Sequence, residues 1–403
     1  MNSNTTASSS PQVQVPSAPA SGRLPWAALL AVAMAGFICV LTETVPAGLL
    51  LQISPGLGVT EAMAGQLVTL YALGSLLAAI PLTAVTRGWR RKPLLLLCIL
   101  GFLVFNTVTA FSSSYTLTLS ARFFAGVAAG VLWGMSAGYA RRMVPEPLKG
   151  RAMAVAMVGT PLALALGVPA GTFFGDLAGW RNVFSILSLL ALLLAGWVLW
   201  KLPDYPGEAA GNRLPLHKVF ATPGVRPVLF VVLAWVLAHN ILYTYIAPYL
   251  NQTGLAGHVN LVLLIFGIAA LVGIWLIGVW IDRHLRSLVL ISLAAFAVAS
   301  VALGIGSQPG IIFIVAAVWG LTFGGAATLL QTAIAVAGGE SADVAQSMLV
   351  TAWNLAISGG GVIGGILLET TGVRSFPWAL FALLSLAFLA AWRSKAHGFP
   401  SGG

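Results

Sequence analysis

The sequence predicts an all-α polytopic membrane protein, with twelve transmembrane helices in two pseudo-symmetric six-helix halves. Of its 403 residues, 59% are hydrophobic and only 7% are charged, whereas a soluble chain carries about a quarter charged residues. Apolar runs of about 20 residues, long enough to cross a bilayer core, recur along the chain. Features at corresponding places in the two halves repeat at offsets of 193–196 residues.

Backbone groups in lipid must satisfy one another, so such runs must be helical. The alternation over about ten residues that marks a barrel strand is absent. Hydropathy places spans at 26–51, 62–84, 93–111, 115–140, 151–175 and 182–201, and again at 226–250, 260–281, 288–306, 311–337, 344–368 and 376–393. These group into a first bundle over 26–202 and a second over 226–394. Between them lies a polar cytoplasmic connection, 203–225, which holds Pro, Gly and both signs of charge. Residues 1–25 are rich in Ser, Pro, Ala and Gln and carry one charge, Arg23. They lack the basic start and short apolar core of a signal peptide and are expected to be a disordered cytoplasmic tail. Residues 395–403 form a second cytoplasmic tail.

The net charge of +10 is not a nucleic-acid signal, because the basic residues lie in short loops. Seventeen of the 20 Lys and Arg residues fall in segments on the N-terminal side of the membrane. Only Arg181 and Arg374 fall in loops on the other side, and Arg122 lies within a span. That bias puts both termini in the cytoplasm. Cys39 and Cys98 lie inside apolar runs and read as small buried residues rather than a disulfide or metal pair.

The internal repeat is visible at three places. "DLAGWR" (176–181) ends the fifth span and "ETTGVR" (369–374) the eleventh. "TRGWR" (86–90) follows the second span and "DRHLR" (282–286) the eighth. Gly126 and Gly130 of span four match Gly320 and Gly324 of span ten. Duplicated six-helix units are a common transporter plan, with the ligand site between the halves near the midplane.

Glu43, in "LTETVPAGLL" (41–50), is the only charged residue between Trp26 and Leu51. It lies eight residues, ~12 Å, from the end of its span, and Arg122 lies seven residues, ~10 Å, inside span four. A lone acid and a lone base thus share a depth, and each would be costly alone, by about 2.5–3.5 kcal/mol at a helix centre. Burial disfavours charge on the carboxyl and a neighbouring arginine favours it, so a small movement could switch Glu43 between protonation states. Arginine stays charged and serves as the counter-charge. A static ion pair fixing two helices is the plainer alternative.

Other polar or amphipathic residues in the spans are candidates for a substrate cavity: Trp133, His239, Asn240, Tyr243, Gln331, Trp353 and Asn354. His239 and Tyr243 stand four apart on one helix face in "LAHNILYTYIAPYL" (237–250). Glycines 126, 130, 134 and 138 form a smooth ridge along span four, and "GGGVIGG" (359–365) is a similar cluster in span eleven. Both permit close helix approach and could let the halves slide. "GMSAG" (134–138) matches a hydrolase nucleophile elbow in letters only, since it lies mid-helix. Five scattered histidines offer no metal-ligand spacing, so neither an enzyme nor a metal site is expected.

With these residues assembled, the chain over 26–394 resembles the major facilitator superfamily, in its twelve-span drug:proton antiporter branch. "GVWIDRHLR" (278–286) is similar to that family's cytoplasmic loop motif, which maps onto Asp282, Arg283 and Arg286. The first-half copy, "LTAVTRGWRRK" (82–92), keeps Arg87 and Arg90 but has Thr86 at the acid position and Leu82 for the glycine. "SARFFAGVAAG" (120–130) resembles the motif whose arginine couples to protons, here Arg122. "TETVPAGLL" resembles the span-one motif whose acid faces it, here Glu43. "GTPLALALGVPAG" (159–171) is similar to the antiporter motif, through Gly159, Pro161, Gly167, Pro169 and Gly171. "GWRNVF", "YTYIAPYL" and "VWGLTFG" resemble the bacterial exporters of sugars, purine ribonucleosides and chloramphenicol.

The resemblance implies the major facilitator fold in a bacterial inner membrane. It also implies proton antiport that carries a small, neutral or weakly charged organic molecule out of the cytoplasm. One buried acid suggests about one proton per cycle, with the proton gradient as energy source and no cofactor. A single chain has enough helices to act as a monomer. A solute:proton symporter on the same fold is the alternative.

Overall fold

The computed structural model describes residues 24–79, 81–207, 216–306 and 308–399. The expected N-terminal tail up to residue 23, the middle of the connection (208–215) and residues 400–403 lie outside the described residues. Among the described residues there are helices and no strands.

The first half comprises α1 (Trp26–Gly48), α2 (Glu61–Ala79), α3 (Arg91–Phe111), α4 (Tyr115–Arg142), α5 (Glu146–Ala178) and α6 (Trp180–Lys201). The second begins with α7 (Val225–Thr244). A helical run of 50 residues, Ala256–Ile305, follows it. At 1.5 Å per residue such a rod would reach ~75 Å, far beyond a hydrocarbon core of about 30 Å. Its backbone leaves helical geometry at His284 (φ −132°, ψ 24°), dividing it into α8 (259–283) and α9 (285–305). The bundle ends with α10 (Pro309–Gly338), α11 (Ala342–Thr370) and α12 (Phe376–Arg393). Among the described residues eleven helices are long and apolar enough to cross a membrane, and the break at His284 makes twelve passes of them.

Glycine sets how closely these helices pack. A Cβ on Gly126 would overlap the Tyr71 carbonyl of α2, and one on Gly130 would meet the Ser75 carbonyl at 2.5 Å. In the second half a Cβ on Gly320 would overlap the Phe266 carbonyl of α8, and one on Gly324 the Ala270 backbone. The α2–α4 and α8–α10 contacts are therefore one contact repeated at an offset of 194–195 residues. This corrects one expectation. Gly126 and Gly130 are not a surface between sliding halves, because they are spent on packing inside the first half. The α11 cluster does reach across, since Gly361 abuts Thr69 of α2.

Gly126→Ala is expected to destabilise the protein by about 2–3 kcal/mol, because its methyl meets backbone that has no room to yield. Gly196→Ala in α6, with nothing within 4 Å of the new carbon, should be neutral or stabilising by up to ~1 kcal/mol. Thermal unfolding of the detergent-purified variants compares the two.

A second seam runs between α1 and α5. Gly159, Gly167, Gly171 and Gly175 face Ala33, Leu41, Val45 and Leu49 respectively, each pair 126 residues apart. A constant separation is the mark of two parallel helices in register. Between Pro161 and Pro169, α5 makes a π-helical turn, Ala163–Gly167, a feature frequent at functional sites. There Gly267 of α8, from the other half, sits against the Ala165 backbone.

Close approaches between the halves cluster toward the face opposite the 203–225 connection. Tyr245 is fully buried at the end of α7; its hydroxyl donates to the Gly361 carbonyl of its own half at 2.7 Å and lies 3.3 Å from the Ala62 carbonyl of α2, across the seam. Gly65, Gly364 and Gly365 pack around its ring. Gln66 Nε2 donates to the Gly361 carbonyl at 3.3 Å, and Thr60 Oγ1 to Glu369 Oε1 at 3.1 Å.

Candidate functional site

The site begins with Pro46. Proline has no N–H and so leaves the carbonyl four residues earlier without its helical partner; here that carbonyl belongs to Thr42. Arg122 Nη2 of α4 donates to it, and Arg122 Nε reaches the Leu67 carbonyl of α2 at 3.4 Å. Asn106 of α3 donates to Thr42 Oγ1 at 2.9 Å. The guanidinium lies 4.9 Å from the Tyr71 ring centre and 5.7 Å from that of Phe184. Tyr71 Oη donates to the Cys39 carbonyl at 2.9 Å. Arg122 is 0% exposed, so charge-assisted bonds and ring faces replace its water.

Glu43, the next residue after Thr42, is half-buried and within electrostatic reach of Arg122, Tyr71, Cys39 and, across the seam, Tyr243. Among the described residues, however, no Glu43–Arg122 ion pair closes within 4.0 Å. The acid and base that the sequence pairs share one cluster, but the arginine is held by the backbone carbonyl that Pro46 frees. Arg122 Nη1 and Asn106 Oδ1 are buried without partners, and such atoms are rare enough to call for a reason.

On the other side of the seam, His239 anchors an aromatic cluster. Its ring stacks on Phe323 at 3.5 Å and 4°, and lies 5.1 Å from Tyr243. Phe266 and Trp319 flank it at 5.8 and 5.3 Å. Trp353 joins through Phe323 at 6.1 Å. Trp133 stands in the first half, its indole against Gly36 of α1. Asn240 and Asn354 turn back on their own helices, donating to the Val236 and Val350 carbonyls at 2.9 and 3.0 Å. Gln331 is exposed, and its backbone carbonyl is the atom engaged, by Gln346 Nε2 at 2.8 Å. Of the expected cavity residues, His239, Tyr243 and Trp353 thus form one cluster. The two asparagines are committed to their own helices.

The loop-motif residues of the second half lie at the end of α8 and the start of α9. Arg286 donates to the carbonyls of Ala391 (3.0 Å), Trp392 (2.7 Å) and Phe399 (3.2 Å), capping the orphan carbonyls at the end of α12. Asp282 and Arg283 are exposed and form no ion pair among the described residues. Arg286 thus links α9 to α12 within the second half. The Arg87 side chain lies outside the described residues.

In the first half the missing acid is supplied from elsewhere. Thr86 bonds its own helix at the Leu82 carbonyl (2.7 Å). Asp204, at the start of the connection, accepts from Arg90 Nε at 2.6 Å and from the Lys92 amide at 3.1 Å. The adjacent chain is fastened by Arg91 N to the Tyr205 carbonyl (2.9 Å) and Tyr139 Oη to the Pro203 carbonyl (2.7 Å). Asp204→Ala is expected to lower the melting temperature by a few degrees, about 1–2 kcal/mol. Arg90→Ala should cost less, because Arg90 is 72% exposed and Asp204 only 22%.

Sequence reasoning missed Thr42, Asn106 and Tyr71 around Arg122, and Trp319 and Phe323 around His239. One signal was available: Pro46 four residues after Thr42 announces a free carbonyl.

Comparison with known proteins agrees with this architecture. The family model of the Major Facilitator Superfamily matches residues 32–335. Transcription regulatory protein OpdE of Pseudomonas aeruginosa is 31% identical over 384 residues, covering 94% of this chain and 96% of that one. Purine ribonucleoside efflux pump NepI of Escherichia coli K12 is 30% identical over 364 residues, covering 90% and 92%. Among solved structures, a bacterial homologue of the human lysosomal transporter Spinster superposes with a TM-score of 0.71 in its inward-facing, unoccupied form. Its occupied form gives 0.73. Both are 15% identical to this chain, covering 95% and 93% of it and 100% and 98% of theirs, and so speak to the fold. The chain is a multi-pass membrane transporter of small molecules, not an enzyme, and it belongs to the Major Facilitator Superfamily.

Proposed function

We propose that this protein exports an uncharged or weakly charged organic solute of the nucleoside, sugar or drug class from the bacterial cytoplasm in exchange for protons. The observation that carries the reading is Glu43 beside a fully buried arginine with one unpartnered arm, at the seam between halves. Thr42 holds Arg122 in place through Nη2 while Nη1 is left to receive the carboxylate. With the solute bound from the cytoplasm, Glu43 gives up its proton and closes on Nη1. Opened to the outside, it takes a proton and lets go as the solute leaves. The basic loops put both termini in the cytoplasm, so the contacts around Tyr245 close the external face. The protein acts as a monomer in the plasma membrane, with no cofactor and the proton gradient as its energy source.

The relatives named as purine ribonucleoside efflux pumps support export and make nucleosides the first solutes to try. Cells overproducing the protein should be screened for growth against toxic nucleoside analogues, sugars, amphenicols and dyes. Protection that a protonophore abolishes is expected. Protection indifferent to the protonophore, or sensitisation in place of protection, would count against antiport and export respectively.

A further inference from the structure

The second half carries a counterpart of Glu43. α1 is broken just past its end at Leu49 (φ −112°, ψ 8°) and α7 just past its end at Tyr245 (φ −111°, ψ 27°). A short helix follows each, Leu50–Leu57 and Ile246–Gln252. These matching breaks are 196 residues apart, the offset already seen in the loop motifs, and the same step from Glu43 lands on His239. In each half the neighbouring helix donates a hydrogen bond to this place. Arg122 of α4 donates to the Thr42 carbonyl, and Trp319 Nε1 of α10 donates to His239 Nδ1 at 2.9 Å.

The direction of that second bond fixes a proton. Indole N–H is a donor only, so Nδ1 must be the acceptor, and a neutral imidazole then carries its hydrogen on Nε2. The imidazole is stacked with Phe323 at 3.5 Å and with Tyr243 at 5.1 Å. Nε2 has no protein partner and is not among the buried unpartnered atoms, and the residue keeps 8% of its surface exposed. What His239 offers a solute is therefore one N–H edge. Half-buried Trp353 adds flat aromatic surface through Phe323. With the Tyr243 hydroxyl buried, this is a mostly apolar, aromatic wall with one accessible donor, which is how small-molecule sites combine affinity with orientation.

We propose that Trp319 is a positioning residue that locks His239 in its Nε2–H tautomer, and that this single donor selects planar, uncharged heterocycles bearing a ring-nitrogen or carbonyl acceptor. The inference rests on reading the seam as the transport path. A ligand without the acceptor leaves the N–H unpaired in an apolar wall, which costs affinity even when its shape fits.

Two measurements on the full chain in nanodiscs test it. In protein labelled with nitrogen-15 histidine, His239 is assigned by comparison with His239→Gln. The expected spectrum at neutral pH is an unprotonated, hydrogen-bonded Nδ1 and a protonated Nε2, giving way to mixed tautomers in Trp319→Phe. A wild-type His239 protonated at Nδ1, or at both nitrogens, would overturn the proposal. Equilibrium binding is then compared for adenosine and its 1-, 3- and 7-deaza analogues, each lacking one ring-nitrogen acceptor. At least one analogue should bind wild type about tenfold more weakly than adenosine. That ratio should fall to about one in His239→Phe and narrow in Trp319→Phe, with binding of the analogue itself unchanged. Equal binding of all four by wild type would overturn the recognition claim. If none of the four binds while the growth screen still shows proton-dependent protection, the recognition claim fails and the export reading stands.

Discussion

Glu43→Gln is expected to abolish concentrative export while leaving solute exchange down a gradient. A proton-motive force of about 150 mV supplies ~3.5 kcal/mol per proton. At 1.4 kcal/mol per tenfold, that sustains a concentration ratio of roughly 300 for a neutral solute moved one-for-one. Glutamine keeps the size and hydrogen bonding of the protonated acid and removes the titration. In energised inverted vesicles the variant should therefore collapse accumulation from ~300-fold to about one, while counterflow of labelled solute persists. Accumulation at the wild-type level in this variant would assign the coupling to another residue. Asn106 and Tyr71, which surround the same arginine, do not ionise at working pH and are poor replacements.

Arg122→Ala should be the most damaging single change in the first half. It removes the donor to the Thr42 carbonyl, leaves Glu43 without its counter-charge and opens a cavity where a 0% exposed side chain packs between two aromatic rings. Truncating one partner of a buried charged contact costs about 3–5 kcal/mol. Arg122→Lys keeps the charge but not the planar fork, so it should retain more stability than activity. A further arm isolates the carbonyl that proline frees. In a Pro46→Ala background the helix regains an N–H for the Thr42 carbonyl, so Arg122→Ala should cost less there than in the wild-type background. The cycle reads that difference, which should be about 1–2 kcal/mol. Strict additivity would mean that Pro46 does not prepare the arginine site.

Much of the architecture could be read from the sequence because lipid leaves few choices. Each apolar run must be a helix, and polar loops, basic on one side of the membrane, separate one from the next. The duplicated glycines at 126/130 and 320/324 announced a repeat that the helix contacts reproduce. Local sequence said less about who receives what. Pro46 announces a free carbonyl at Thr42 but not that α4 supplies the donor, since that pairing spans 80 residues. The loop acid absent at Thr86 is replaced by Asp204, 118 positions later, a substitution set by where the connection leaves α6. His239 stood out as a polar residue in an apolar run. Its partner Trp319 looked like one more apolar residue, because an indole N–H aimed at a ring nitrogen leaves no trace in hydropathy. Span ends also shifted: α1 stops at Gly48, three residues before hydropathy ended it, and so Glu43 sits closer to the break than its expected depth.

The central claim is that protons and solute move in opposite directions through one carboxyl group. The most direct measurement uses purified protein in liposomes loaded with a trapped pH dye and a solute identified by the growth screen. An outwardly directed solute gradient should drive protons inward across the wild-type protein, close to one per solute molecule, and should drive none across Glu43→Gln. Solute leaving the wild-type liposomes with no proton entering, or with protons leaving alongside it, would contradict the account.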